Sequence, residues 1–475
     1  MKVETGTAPP PAVTRTWLWL LPLAVLLLFV SWHALSSPIL VGDSKGLVRN
    51  SRAALDCLHG GRFTNCQSAG YRALLQYLPA MALLQAGLSQ ATTLRVLVAL
   101  NTVSFVAMFF IAWLVAVRTR KVWAPVLVAA LLMSPFPWYA GAAFSEALAA
   151  VVVLAAIAVV LLQARPAIVA VLVAFACLGK ETNLPFVIAL AVICLFATAP
   201  TYRRRGAIAI GVGGIAGLIA TVGFDYFRYG SLVNKVEYRP MYHVHAPVTV
   251  ANLFTGLWVA PNSGIVEFWP AALLLIGLTA FAVGAPWRRP GSLGWRSRAG
   301  WLVLGLLTLE LLGLSTWYAP FGWIAWGSRL ILPLFPAMLV VAAIVSGERA
   351  AEVLVQALRW GWMWVVAAAL AILALPNYTV VWYPHSMSTF FNNDPYCVGA
   401  HVETNRQAYY RCISHKMWAR SPILWHALGG LSRKGGAFAG ALLVASVLGM
   451  VALARQMAAR DASADVGVEV RVGQP

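Results

Sequence analysis

TWLWLLPLAVLLLFVSWHALSSPILVGDSKGLVRNSRAALDCLHGG, residues 16–61, changes character once, and that change decides the fold. Residues 16–35 are an unbroken apolar run. A helix needs roughly 20 mainly apolar residues to cross a bilayer, and in hydrocarbon the backbone has to satisfy its own hydrogen bonds, which a helix does. From Ser44 the pattern becomes amphipathic. Leu47, Val48, Ala54, Leu55 and Leu58 recur at helical spacing, and Lys45, Arg49 and Arg52 fall between them. This is a helix expected to lie on a membrane surface, with Asp43 or Ser44 able to cap its first N–H groups.

The rest of the chain repeats the apolar theme. Of 475 residues, 60% are hydrophobic and only 11% are charged. A soluble domain carries about a quarter of its residues as charged side chains, so lipid has to be part of the solvent. The apolar runs are continuous rather than alternating, which excludes a β-barrel. Lys2 and Arg15 precede the first run as they would in a signal peptide, but the run is longer than a signal core and no small-residue cleavage site clearly follows. It is read as a retained first span.

Further spans are expected near 92–117, 121–139, 145–164, 166–180, 183–199, 206–225, 266–285, 299–318, 329–346, 359–377 and 435–455. The fold class is therefore an all-α integral membrane protein of about twelve transmembrane helices with amphipathic helices on its outer face. The net charge of +19 does not imply nucleic acid. Its basic residues sit in short clusters between spans: Arg118, Arg120 and Lys121; Arg203, Arg204 and Arg205; Arg288, Arg289, Arg296 and Arg298. All of these fall on the cytoplasmic side if the chain starts inside, as the positive-inside rule asks. A tail of 1–15 and a disordered tail of 456–475 are then cytoplasmic, with outer loops at 36–91, 226–265 and 378–434. In a background free of native cysteines, Ser292→Cys is expected to resist a membrane-impermeant thiol reagent added from outside. Labelling there would overturn the topology.

Four of the six cysteines fall in the outer loops. Cys57 with Cys66, and Cys397 with Cys412, are expected to form disulfides in an oxidising space. Cys177 and Cys194 lie in spans as packing residues. No His or Cys spacing suggests zinc.

Acidic and basic residues recur at the outer ends of different spans: Asp43, Glu146, Lys180 with Glu181, and Arg329. Ion pairing and snorkelling would be the plain account of any one of them, and capping would be that of Asp43. Their recurrence suggests a polar cavity instead. The second outer loop is dense in Tyr, Arg and His, including Arg239, Tyr242 and His243. His243 and His245 together are a weak metal signal. No phosphate loop, nucleophile elbow or zinc-protease motif is present.

These residues resemble the GT-C superfold of membrane glycosyltransferases, which use polyprenyl-phosphate-linked sugars. The superfold includes relatives of the protein O-mannosyltransferases and of the lipid A aminoarabinose transferase. The resemblance runs over roughly 16–345. It rests on Gly42-Asp43 after the first span, Ser145-Glu146, Lys180-Glu181-Thr182, FDYFRYGSLVNKVEY, GLWVAPNSGIVEFWP, and Trp326 to Pro336, where Ile331 and Phe335 replace two leucines. It departs where many members carry two adjacent acids, since Asp43 is followed by Ser44 and Lys45.

The resemblance implies Asp43 as general base and Glu146 as a second catalytic acid. It implies Lys180 and Arg329 on the donor phosphate, with Glu181, Arg239, Tyr242 and His243 as candidate substrate contacts. The partners would be a polyprenyl-phosphate sugar, a lipid, glycan or protein acceptor, and the bilayer. The site would be on the outer, periplasmic or extracellular, face of the cell membrane. The resemblance implies no certain cofactor. A divalent cation at Asp43 and Glu146 stays open, although two carboxylates fall short of a cage. A transporter or flippase is the competing reading, disfavoured by charges at span ends and by the lack of a repeat between halves. A non-catalytic assembly protein would tolerate loss of the Asp43 charge.

Overall fold

A computed structural model of the chain describes residues 16–40, 43–66, 74–119, 121–179, 183–232, 246–284, 295–317, 326, 329–337, 340–341, 347–383, 412, 414–419 and 427–472. The first run forms α1, Thr16–Ser36, and the amphipathic stretch forms α2, Asp43–His59. The apolar side of α2 is buried through Leu47, Val48, Ala54 and Leu55, while Arg49 and Arg52 stay exposed. Gly61 follows in a left-handed conformation at φ +68°. That geometry favours glycine and lets the Arg62 N–H reach Cys57 O at 3.0 Å.

Next come α3 (Leu74–Gln85), α4 (Gln90–Thr119), α5 (Trp123–Leu132), α6 (Phe136–Ala140), α7 (Glu146–Leu161) and α8 (Pro166–Gly179). They are followed by α9 (Leu184–Ala197), α10 (Pro200–Tyr229), α11 (Pro247–Val259), α12 (Ile265–Phe268), α13 (Pro270–Gly284) and α14 (Trp295–Ser315). The last helices are α15 (Gly347–Arg359), α16 (Met363–Leu373), α17 (Pro376–Trp382) and α18 (Lys434–Val472).

Among the described residues, five helices are long and apolar enough to cross a membrane: Leu18–Ser36, Gln90–Arg118, Pro200–Tyr229, Met363–Trp382 and Lys434–Arg460. They expose large apolar side chains, such as Leu28 at 71%, Phe110 at 70% and Ile219 at 66%. Repeated exposure of this kind along apolar helices needs lipid, so the chain is a multi-pass membrane protein. Shorter apolar helices lie between them, among them Trp123–Leu132, Glu146–Leu161 and Pro166–Gly179. The expected span at 121–139 is one clear departure. It divides into α5 and α6 at Ser134-Pro135, where proline cannot continue an i→i−4 ladder. With 10 residues, α5 is only about 15 Å long.

Helix α18 continues to Val472, through most of the stretch read as disordered. No proline interrupts it before Pro475, and extending an existing helix avoids the cost of nucleating one.

Small residues set the tightest packing. Gly213 and Gly217 of α10 face α8, and a Cβ at Gly217 would stand 2.5 Å from the Cys177 Cβ. This small-xxx-small pair lets the two backbones approach, the usual way helices associate in lipid. An apolar cavity of about 120 Å³ lies between α5, α13, α15, α16 and α18.

Cys57 and Cys66 form a disulfide. The closed loop is held to the end of α10, where the Cys66 N–H donates to Phe227 O at 3.0 Å. Cys412 is also disulfide-bonded, and Cys397 lies outside the described residues. Replacing both Cys57 and Cys66 by Ser is expected to destabilise the fold by roughly 2–3 kcal/mol, the loop-closure value for a ring this short. Thermal unfolding of the solubilised protein with and without reductant measures it, and equal midpoints would show that the bridge does not form.

Candidate active site

The site is built around the start of α7. The six residues before Glu146 are apolar or small, so their backbone groups need partners from elsewhere. Two residues of α4 provide them. Asn101 Nδ2 donates to Ala142 O at 2.7 Å and Phe144 O at 2.5 Å, and Thr102 Oγ1 donates to Ala140 O at 3.0 Å. The chain leaving α1 docks on the same segment. Ile39 pairs with Ala142 in an isolated parallel bridge, its N–H donating to Gly141 O at 2.7 Å. Residue 43 comes four positions later, so the chain limits the start of α2 to about 14 Å from that bridge.

Glu146, only 1% exposed, meets Arg329 with Nε 3.2 Å from Oε1. The Arg329 guanidinium also lies 5.0 Å over the Phe144 ring, a cation–π contact. Two charges in so dry a place are tolerated because each compensates the other.

A chain of buried hydrogen bonds fixes the segment that carries Arg329. Tyr139 OH donates to Trp326 O at 2.7 Å, and Trp326 Nε1 donates to Asn377 Oδ1 at 2.7 Å. Asn377 Nδ2 donates in turn to Phe268 O at 2.8 Å and Met133 O at 3.1 Å. Tyr378 OH donates to Leu132 O at 2.9 Å and Trp269 Nε1 to Ala130 O at 2.9 Å. The carbonyls freed by the α5–α6 break at Ser134-Pro135 are thus among those satisfied, and Trp326, three residues before Arg329, is held by a buried hydrogen-bonded frame.

The structure therefore brings Glu146 and Arg329 together. Asp43 opens α2, but its carboxylate lies outside the described side chains. Lys180, Glu181, Arg239, Tyr242 and His243 lie outside the described residues. Their neighbours Gly179 and Asn183 are buried, and Gly179 lies beside α7, since a Cβ there would stand 3.0 Å from the Ala149 Cβ.

Sequence reading missed Asn101, Trp326 and Asn377 as positioning residues. An Asn in an apolar run was the available signal. A further buried pair, Asp225 and Arg228 at 2.5 Å, closes α10, with Arg228 over the rings of Phe224 and Tyr229 at 4.5 and 4.7 Å. Among the described residues, no group of three or more His, Cys, Asp or Glu could hold a metal ion.

No family model and no curated protein matches the chain. Two solved structures are similar to it. One is the crystal structure of ArnT from Cupriavidus metallidurans bound to undecaprenyl phosphate, at 15% identity, covering 97% of this chain and 81% of that one, with a TM-score of 0.47. The other is the same protein in the apo state, at 17% identity, covering 92% and 78%, with a TM-score of 0.44.

Proposed function

We propose that the chain is a membrane glycosyltransferase that moves a sugar from a polyprenyl-phosphate donor to an acceptor hydroxyl at the outer face. The observation that carries this reading is the buried Glu146–Arg329 pair at the start of α7. A buried charged pair, in a chain otherwise solvated by lipid, suits a lipid-borne anionic headgroup. The motif resemblance at Gly42-Asp43, Ser145-Glu146, Lys180-Glu181-Thr182 and Trp326–Pro336 adds the donor class.

The acceptor oxygen attacks the anomeric carbon while the bond to the phosphate oxygen breaks. The phosphate leaves with the bonding pair, and Asp43 takes the hydroxyl proton. Negative charge grows on the departing phosphate, so Lys180 and Arg329 stabilise the transition state more than the ground state. A guanidinium has five donors, and holding Glu146 through its Nε edge is compatible with binding an anion. Glu146 keeps that guanidinium oriented and the local charge balanced. Glu181, Arg239, Tyr242 and His243 are the candidate contacts for the sugar or the acceptor. The reaction is a single displacement with inversion.

The test is lipid analysis of purified protein. Polyprenyl phosphate is expected to co-purify with the wild type and to be depleted in Arg329→Ala. A wild type that neither carries nor binds polyprenyl phosphate would reject the donor class.

A further inference from the structure

The glycosyl-transfer chemistry makes no use of the apolar cavity between α5, α13, α15, α16 and α18. Its volume is about 120 Å³, and every lining residue is Ala, Val, Leu, Met, Pro or Trp. A dry cavity of about 150 Å³ takes up a benzene-sized guest, so this one holds a segment of one hydrocarbon chain. A void of this kind forfeits dispersion contacts on its walls, and a chain that enters restores them.

The two ends of the cavity differ. At one end the lining residues Ala130 and Met133 have carbonyls that accept from Trp269 Nε1 and Asn377 Nδ2. That end abuts the buried frame that holds Trp326. At the other end α15 runs through Leu358, Arg359 and Trp360 into Trp362 and α16. Trp360 and Trp362 are half-exposed, with ring centroids 5.5 Å apart. On α18, Val451 lines the cavity and Arg455 follows one turn later, its guanidinium 5.6 Å from the centroid of the Trp364 ring. Arg359 is exposed, and among the described residues neither arginine pairs with a carboxylate.

The cavity opens towards lipid. Trp362, Val366 and Leu370 line it at helical spacing, and none of the three is buried. Beside them on α16, Val365 and Leu373 are exposed apolar side chains. A chain therefore enters sideways from the bilayer. Tryptophans and unpaired arginines at the rim of an apolar slot match a molecule whose tail lies in hydrocarbon and whose anionic head lies at the interface. We infer that this cavity is a binding site for an anionic glycerophospholipid, with one acyl chain in the cavity and the phosphate against Arg359 and Arg455. The basic-cluster topology puts this end on the cytoplasmic side, opposite the face proposed for sugar transfer. The lipid is thus separate from the donor.

Dioleoyl phosphatidylglycerol and dioleoyl phosphatidylcholine share their chains and differ in headgroup charge. Each is titrated onto delipidated, full-length solubilised protein, and bound lipid is read by native mass spectrometry. Two arginines at about fivefold each predict about 25-fold tighter binding of the phosphatidylglycerol by the wild type. Arg359→Gln combined with Arg455→Gln is expected to remove that preference and leave phosphatidylcholine binding unchanged. Ala357→Leu and Ala367→Leu each fill part of the cavity. Each is expected to weaken both lipids by about tenfold, with a lipid-free thermal midpoint no lower than the wild type's. That midpoint certifies the fold, and if one filling variant fails it the other decides. Equal affinity of the wild type for the two lipids overturns the headgroup contact. Undiminished binding in a folded filling variant places the lipid on the outer surface and overturns the site. Displacement of phosphatidylglycerol by equimolar polyprenyl phosphate overturns the choice of occupant.

Discussion

Asp43→Asn is expected to lower sugar transfer by about 10²–10⁴-fold, the usual worth of a positioned general base, while the fold and donor binding survive. The substitution separates two roles that Asp43 could fill. It opens α2, and an Asn there caps exposed N–H groups about as well as an Asp. Size and capping are kept, and only the basic oxygen is lost. The bridge from Ile39 to Ala142 does not involve the side chain at 43, so the chain should still be delivered to the start of α7. The measurement is initial-rate transfer of a labelled sugar in proteoliposomes, paired with binding of polyprenyl phosphate. Full activity in Asp43→Asn would remove the base and leave capping as the residue's role.

Breaking the Glu146–Arg329 pair carries the second large effect. Removing one partner of a buried ion pair typically costs about 3–5 kcal/mol, because the survivor is left charged and uncompensated. Glu146→Ala or Arg329→Ala should each lower the thermal midpoint of the solubilised protein and abolish transfer. The instructive variant is the double replacement Glu146→Leu with Arg329→Met. An apolar pair of similar volume often restores or exceeds the stability of a buried ion pair. The double variant is therefore expected to regain the wild-type midpoint and to remain inactive. Recovery of transfer along with stability would show that the pair only holds the fold together.

Much of the membrane character was readable because it depends on local pattern. The lipid-facing run at 16–35 became α1, and the spacing of Leu47, Val48, Ala54 and Leu55 became the buried side of α2. Glu146 and Arg329 stood out because charge is rare in this chain. The break at Ser134-Pro135 was hidden, since the residues on both sides are apolar and only the proline marks it. The frame around Trp326 was hidden for a different reason. Asn377 finds its partners at Trp326, Phe268 and Met133, between 51 and 244 positions away. No periodicity in one window can register bonds of that reach.

The pairing of α1 with α18 bears on how the protein is made. The two helices run antiparallel, with Phe29 against Phe438 at 5.0 Å between ring centroids and Gly449 against the Trp19 backbone. Helix α1 is therefore made well before the helix it packs against. At synthesis rates of about 5–20 residues per second, the roughly 400 residues between them take some 20–80 s. Through that interval the face of α1 that later meets α18 has only lipid, earlier helices or a membrane chaperone to lie against. A nascent chain halted before Lys434 would already contain every residue proposed for catalysis. It would still lack the helix that covers Phe29 and the Trp19 backbone of α1.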